Sequence, residues 1–138
     1  MDVDQLQPGM VIHAYCHDCS PPKDKFFVIG AIEPSPMMLV INSRMNQYIL
    51  ERQSLHQCHV ELDHQKYVFL RHDSWVACCE AYHGMTYDDL ERELRYGNNT
   101  LCGQLDADDK QAVIAAIACS PRMERRHKRV LLAAFEQA

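Results

Sequence analysis

No apolar run in this 138-residue chain approaches the roughly 18 residues of a membrane span. Its opening residues, MDVDQLQPGM, hold neither a basic segment nor an apolar one of the secretory kind. A cytoplasmic protein with no membrane partner is therefore expected. A nucleotide-binding glycine loop, a G-x-S-x-G elbow, an H-E-x-x-H helix and a kinase signature are all missing, which removes the most readable enzyme classes. Internal repeats and low-complexity segments are missing too. So is a positive balance: the net charge of -5 gives no broad attraction to nucleic acid, although a local basic site is compatible with it.

What is present is ordinary for a globular domain, with 47% hydrophobic and 24% charged residues, a balance that excludes wholesale disorder. The length suits one domain with a substantial core. The stretch that organises it is Lys25 to Ser43, in which the apolar runs 26–32 and 37–42 are separated only by Glu33-Pro34-Ser35-Pro36. So short a break reads as an antiparallel hairpin, and continuously apolar strands imply cover on both faces. Before it, Gln7-Pro8-Gly9 marks a turn into a strand over 10–15. After it, strands are expected at 48–50, 58–62 and 74–79, the last closing the sheet, while 67–70 reads equally as a turn or a strand. Several short strands on hairpin-length connections predict a small closed or nearly closed barrel over residues 1–84.

From Gly84 the pattern turns helical. Thr86 caps a helix over 87–96 that Gly97 stops, and Gly97-Asn98-Asn99 reads as a turn. Asp106 caps a second helix ending near Ser120, and Ser120-Pro121 starts a third that runs to about Glu136. Val130, Leu131, Ala134 and Phe135 form the apolar stripe of the third helix. The expected fold is thus α+β: an antiparallel barrel with a three-helix C-terminal extension, 85–138, against it. Arg122, Arg125, Arg126, Lys128 and Arg129 make its last helix the basic face of an acidic protein.

The seven cysteines are an odd set without a secretory signal, so reduced thiols are expected. Cys16-His17-Asp18-Cys19 is a C-x-x-C, and Cys78, Cys79 and His83 would add soft zinc ligands. Adjacent cysteines ligate one ion poorly and a second C-x-x-C is missing, so neither metal nor other cofactor is expected. A thioredoxin-like redox motif sits at a strand-to-helix turn, whereas this one lies between strands. His17 and His72, next to Asp18 and Asp73, are the histidines best suited to acid–base work. If the central runs pair, Asp24, Lys25 and Ser43 come together at the hairpin's open end, where a lysine and a hydroxyl can hold a phosphate.

The order of Leu6-Gln7-Pro8-Gly9-Met10-Val11-Ile12, a polar loop, Lys25-Phe26-Phe27-Val28-Ile29-Gly30 and an apolar strand ending in Ile41-Asn42-Ser43 resembles the PemK/MazF toxins of bacterial toxin-antitoxin systems. The resemblance covers roughly residues 6 to 80. It implies an SH3-like barrel, usually dimeric, and an antitoxin protein as partner. It also implies metal-independent cleavage of single-stranded RNA by 2'-hydroxyl attack, leaving a cyclic phosphate. Lys25 stands where the family has its key arginine and Ser43 where it has a threonine or serine. Asp24 and His17 are then the proton-transfer candidates, and Arg44, Arg125, Arg126 and Arg129 the RNA-binding ones. The competing expectation is a barrel without catalysis that binds a protein or nucleic acid through the arginines of the last helix.

Overall fold

The computed structural model describes residues 2–97 and 100–137; the expected turn at Asn98-Asn99 lies outside the described residues. After a short 3-10 turn at Val3–Gln5, the chain forms β1 (Met10–Cys16), β2 (Lys23–Ala31) and β3 (Met37–Asn42), followed by two single-turn helices, α1 (Gln47–Leu50) and α2 (Gln53–His56). Then come β4 (His59–Leu62), β5 (Ser74–Tyr82), α3 (Tyr87–Tyr96), β6 (Leu101–Gln104), α4 (Ala107–Cys119) and α5 (Arg125–Glu136). The six strands make one antiparallel sheet in the order β4-β5-β3-β2-β1-β6, curled into a half-barrel. Among the described residues, no helix is long and apolar enough to cross a membrane.

The central hairpin forms as its apolar runs require, with Phe26 opposite Ile41 and Phe27 opposite Val40. Successive side chains point to opposite faces, and both faces are covered. On one, Val11, Val28, Leu39, Ile41 and Val76 meet Val113 and Ile117 of α4 and Leu131 and Phe135 of α5. On the other, Ile12, Ala14, Phe27, Ile29 and Met38 meet Leu90 of α3 together with Val3, Leu6 and Met85. That double cover explains why β2 and β3 show no polar alternation. Each such buried aliphatic side chain contributes about 1.5–3 kcal/mol. α5 approaches β2 so closely that a Cβ on Gly30 would collide with Leu131.

Four local readings change. Residues 48–50 are helical, because the Asn46 side chain accepts a 2.9 Å hydrogen bond from the Ile49 N–H and caps a turn. β5 runs on to Tyr82 and is not the last strand: β6 follows α3, in the stretch expected to be wholly helical. None of its four residues is buried, so no hydrophobic pattern announces it. The sheet is open between β4 and β6, rather than closed. The final helix starts at Arg125 instead of after Pro121, because Ser120 Oγ caps only a local turn, accepting from the N–H groups of Arg122 and Met123 at 3.3 and 3.1 Å and donating to the Cys79 carbonyl at 2.8 Å.

Candidate functional site

The open end of the central hairpin forms one wall of a cleft of about 410 Å³ on the α4–α5 face of the sheet. Along its floor, His13 and Phe26 face each other across β1 and β2 with ring centroids 4.6 Å apart. Phe69 lies 5.4 Å from Phe26, and Tyr67 5.8 Å from Phe69, so four rings follow one another from strand to loop. Lys23, Asp24, Lys25, Ser43, Arg71 and His72 also line it. Three basic residues and two histidines thus line this space with a single carboxylate.

The loop between β4 and β5 supplies Phe69, Arg71 and His72, and long-range bonds set its position. The Tyr67 hydroxyl donates to Asp109 Oδ2 and accepts the Asp106 N–H at 3.1 Å. Lys66 Nζ lies 2.5 Å from Asp106 Oδ2 and 3.3 Å from Asp109 Oδ2. Both carboxylates sit at the start of α4, where they complement the helix dipole and Asp106 caps the Asp109 N–H at 2.8 Å. Burial, with Asp109 beside it, pushes the Tyr67 phenol up to about 12, so it stays a donor at any ordinary pH. At the loop's base, Asp73 Oδ1 accepts from His64 through both the backbone N–H, at 3.0 Å, and Nδ1, at 2.7 Å.

Asp24, Lys25 and Ser43 therefore meet at one cleft. Their side chains do not share a face. Register along β1 and β2 is unbroken from Val11 to Cys16, so Asp24 lies on the Phe26 side and Lys23 and Lys25 on the Phe27 side. Lys25 Nζ donates to Asn42 Oδ1 at 2.5 Å there, beside the thiols of Cys16 and Cys19. Desolvation pulls its pKa below the usual lysine value, and Lys23 adds to that, against the opposing pull of Cys19 and Cys16. His17 is exposed on the turn after β1, its ring edge-on to Tyr15 at 4.7 Å, and does not line the cleft. Arg44 is exposed just beyond Ser43.

Arg125, Arg126 and Arg129 are exposed on α5, whose Leu131 packs at Gly30. Gly30 is five residues along β2 from Lys25, about 16 Å of strand, so the contact of α5 at Gly30 and the cleft lie toward different ends of β2. His72 does line the cleft, but its neighbour Asp73 serves His64. His13, Lys23, Phe69 and Arg71 escaped the sequence reading. His13 left a signal, being the polar residue between buried Ile12 and Ala14. Arg71 left none, since bonds spanning more than forty positions, from Tyr67 and Lys66 to Asp109, bring its loop over the cleft.

The thiols fall into separate groups. Cys78 lies in the core of the α4–α5 face, Cys79 packs with Leu55 and Cys58, and Cys16 and Cys19 belong to the opposite face, so the soft-ligand set considered for zinc is not assembled. Cys79 and His59 lie 3.8 Å apart in a second cleft of about 300 Å³. Both donate to the Leu55 carbonyl, at 3.4 and 2.8 Å, so the imidazole nitrogen nearest the sulfur already holds a proton. Burial pushes the thiol up to about 12 and the imidazole down, which leaves a neutral pair rather than an activated nucleophile. Among the described residues, only Asp63, His64 and Asp73 have metal-ligand spacing; all three are exposed, and His64 and Asp73 already bond each other.

Comparison with models of known protein families and with curated proteins finds no match for this chain.

Proposed function

We propose that the protein is a PemK/MazF-like, SH3-like module that binds single-stranded RNA in the cleft beside the central hairpin. The observation that carries this reading is the joining of a ring series, His13-Phe26-Phe69, to Arg71 in one space, at whose edge Lys23 begins β2. Bases stack on aromatic faces whatever their sequence, and cations along the groove follow the phosphates; stacking contributes about 1–3 kcal/mol per base. Arg71 can hold a phosphate through its planar fork, and Ser43 offers a hydroxyl donor. The acidic total does not oppose this, because charges beyond about 10 Å are screened and three basic residues line the cleft against one carboxylate.

A second reading, metal-independent RNA cleavage, draws on Asp24, His13 and His72 lining the same cleft, since cleavage by a 2'-hydroxyl requires a base for that proton and an acid for the leaving oxygen. In this reading Lys25, held by Asn42 on the other face, supports the hairpin rather than the reacting phosphate. The test is incubation with mixed-sequence single-stranded RNA in EDTA, with mapping of the ends. Binding with intact RNA supports the module alone. Fragments with cyclic phosphate ends, lost in His13→Ala, support cleavage, and no affinity at low salt rejects both.

A further inference from the structure

Cys16 and Cys19 lie apart from the RNA cleft, on the α3 face of the sheet, and the proposed binding leaves them without a role. Cys16 ends β1 and Cys19 follows in the turn to β2, so a short loop joins the two thiols and both pack in the cluster on the α3 face. The backbone of that turn, at Asp18 and Cys19, favours charge on the Cys16 sulfur. From β5, the Tyr82 hydroxyl sits between that sulfur and Asp18 Oδ2, to which it donates at 2.9 Å. Lys25, fixed by Asn42, places its ammonium beside both thiols, with Lys23 further out.

A sulfur ringed by donors next to a cation is built to carry negative charge. Burial opposes ionisation of Cys16, but the Cys19 thiol, the turn backbone and Tyr82 outweigh it and bring its pKa below the ordinary value, whereas burial and the Cys16 charge raise that of Cys19. The pair is therefore asymmetric: one thiolate and one neighbouring thiol. A redox C-x-x-C commonly draws its donors from a helix N-terminus; here turn backbone, a tyrosine and a lysine provide them.

We propose that Cys16 and Cys19 form a redox-active dithiol that a small hydroperoxide converts to an intramolecular disulfide. The Cys16 thiolate attacks one peroxide oxygen, forming an S–O bond and breaking the O–O bond. The departing hydroxide takes up the proton Cys16 released on ionising and leaves as water. Cys19 sulfur then attacks the Cys16 sulfenic sulfur, forming S–S as the S–O bond breaks, and its thiol proton leaves with that oxygen as a second water. Two thiols lose two electrons and the peroxide gains them. Cys16 is only 2% exposed, so the oxidant must be small.

The test treats the folded protein with stoichiometric hydrogen peroxide, alkylates remaining thiols and maps peptides, with the other five cysteines as internal controls. The expected result is a Cys16–Cys19 crosslink at a dose that leaves Cys58, Cys78 and Cys79 alkylatable only after unfolding. Cys19→Ser should accumulate a Cys16 sulfenic acid that dimedone traps, and Cys16→Ser should leave Cys19 reduced. Tyr82→Phe should move the midpoint of Cys16 alkylation by iodoacetamide to higher pH while circular dichroism is unchanged. Both thiols recovered reduced after peroxide, or Cys19 oxidised equally fast in Cys16→Ser, would overturn the proposal.

Discussion

Lys25 donates to Asn42 across β2 and β3 at 2.5 Å, on the face of the sheet away from Asp24. This pairing turns the ammonium of the most prominent lysine of the sequence away from the cleft that its residue helps to line. Lys25→Ala should therefore change RNA affinity less than Arg71→Ala, measured by fluorescence anisotropy at equal salt. It should also leave Asn42 without its charged partner and lower stability by about 1 kcal/mol, read by urea titration.

The Tyr67 hydroxyl ties the loop carrying Phe69, Arg71 and His72 to the start of α4. Tyr67→Phe keeps the ring but leaves the Asp106 N–H and the Asp109 carboxylate without that partner. A loss of about 1.5–3 kcal/mol is expected for hydrogen bonds involving a charged group. RNA affinity should fall with it, because the loop wall is no longer held; unchanged affinity would show that the loop does not build the site.

The His64–Asp73 pair gives the same loop a pH dependence whose sign follows from its two partners. The hydrogen bond to Asp73 raises the His64 pKa above 6.5, and that to His64 lowers the Asp73 pKa below 3.8. The charged pair is complete between those two values. It weakens as pH rises through the raised histidine pKa, and again as pH falls through the lowered carboxylate pKa. Amide exchange across residues 64–73 should be slowest, relative to the intrinsic rate, near pH 5 to 6 and faster at pH 8. His64→Gln should remove the difference.

Gly30→Ala puts a methyl group where Leu131 of α5 lies and 2.9 Å from the Met37 carbonyl oxygen. Overpacking of this kind costs about 1–3 kcal/mol. Chemical denaturation should show a lower midpoint, with RNA affinity unchanged under native conditions because the cleft is at the other end of β2.

These expectations rest on parts of the molecule that differed in how openly the sequence showed them. The hairpin was legible because Phe26 to Asn42 holds two apolar runs and a short break, and the helices after Thr86 and Asp106 because each begins on a side chain that caps it. β6 was not, since Leu101–Gln104 owes its place to backbone pairing with β1 and not to a buried face. The cleft was half legible. Asp24 and Ser43 follow from strand pairing, whereas Arg71 and His72 depend on a loop fastened by Tyr67 and Lys66 to residues some forty positions away. The side on which Lys25 falls was fixed by strand register, which a list of residue types does not contain.

The most direct measurement is the affinity of a labelled single-stranded RNA as a function of salt, for the native protein, for Phe69→Ala/Arg71→Ala, and for Arg125→Ala/Arg126→Ala/Arg129→Ala. The account predicts that the cleft variant loses binding at least tenfold and that its salt slope falls by roughly 0.7 for each cation removed. The α5 variant should bind like the native protein. Equal binding by native and cleft variants, or a loss confined to the α5 variant, would contradict the assignment of the cleft.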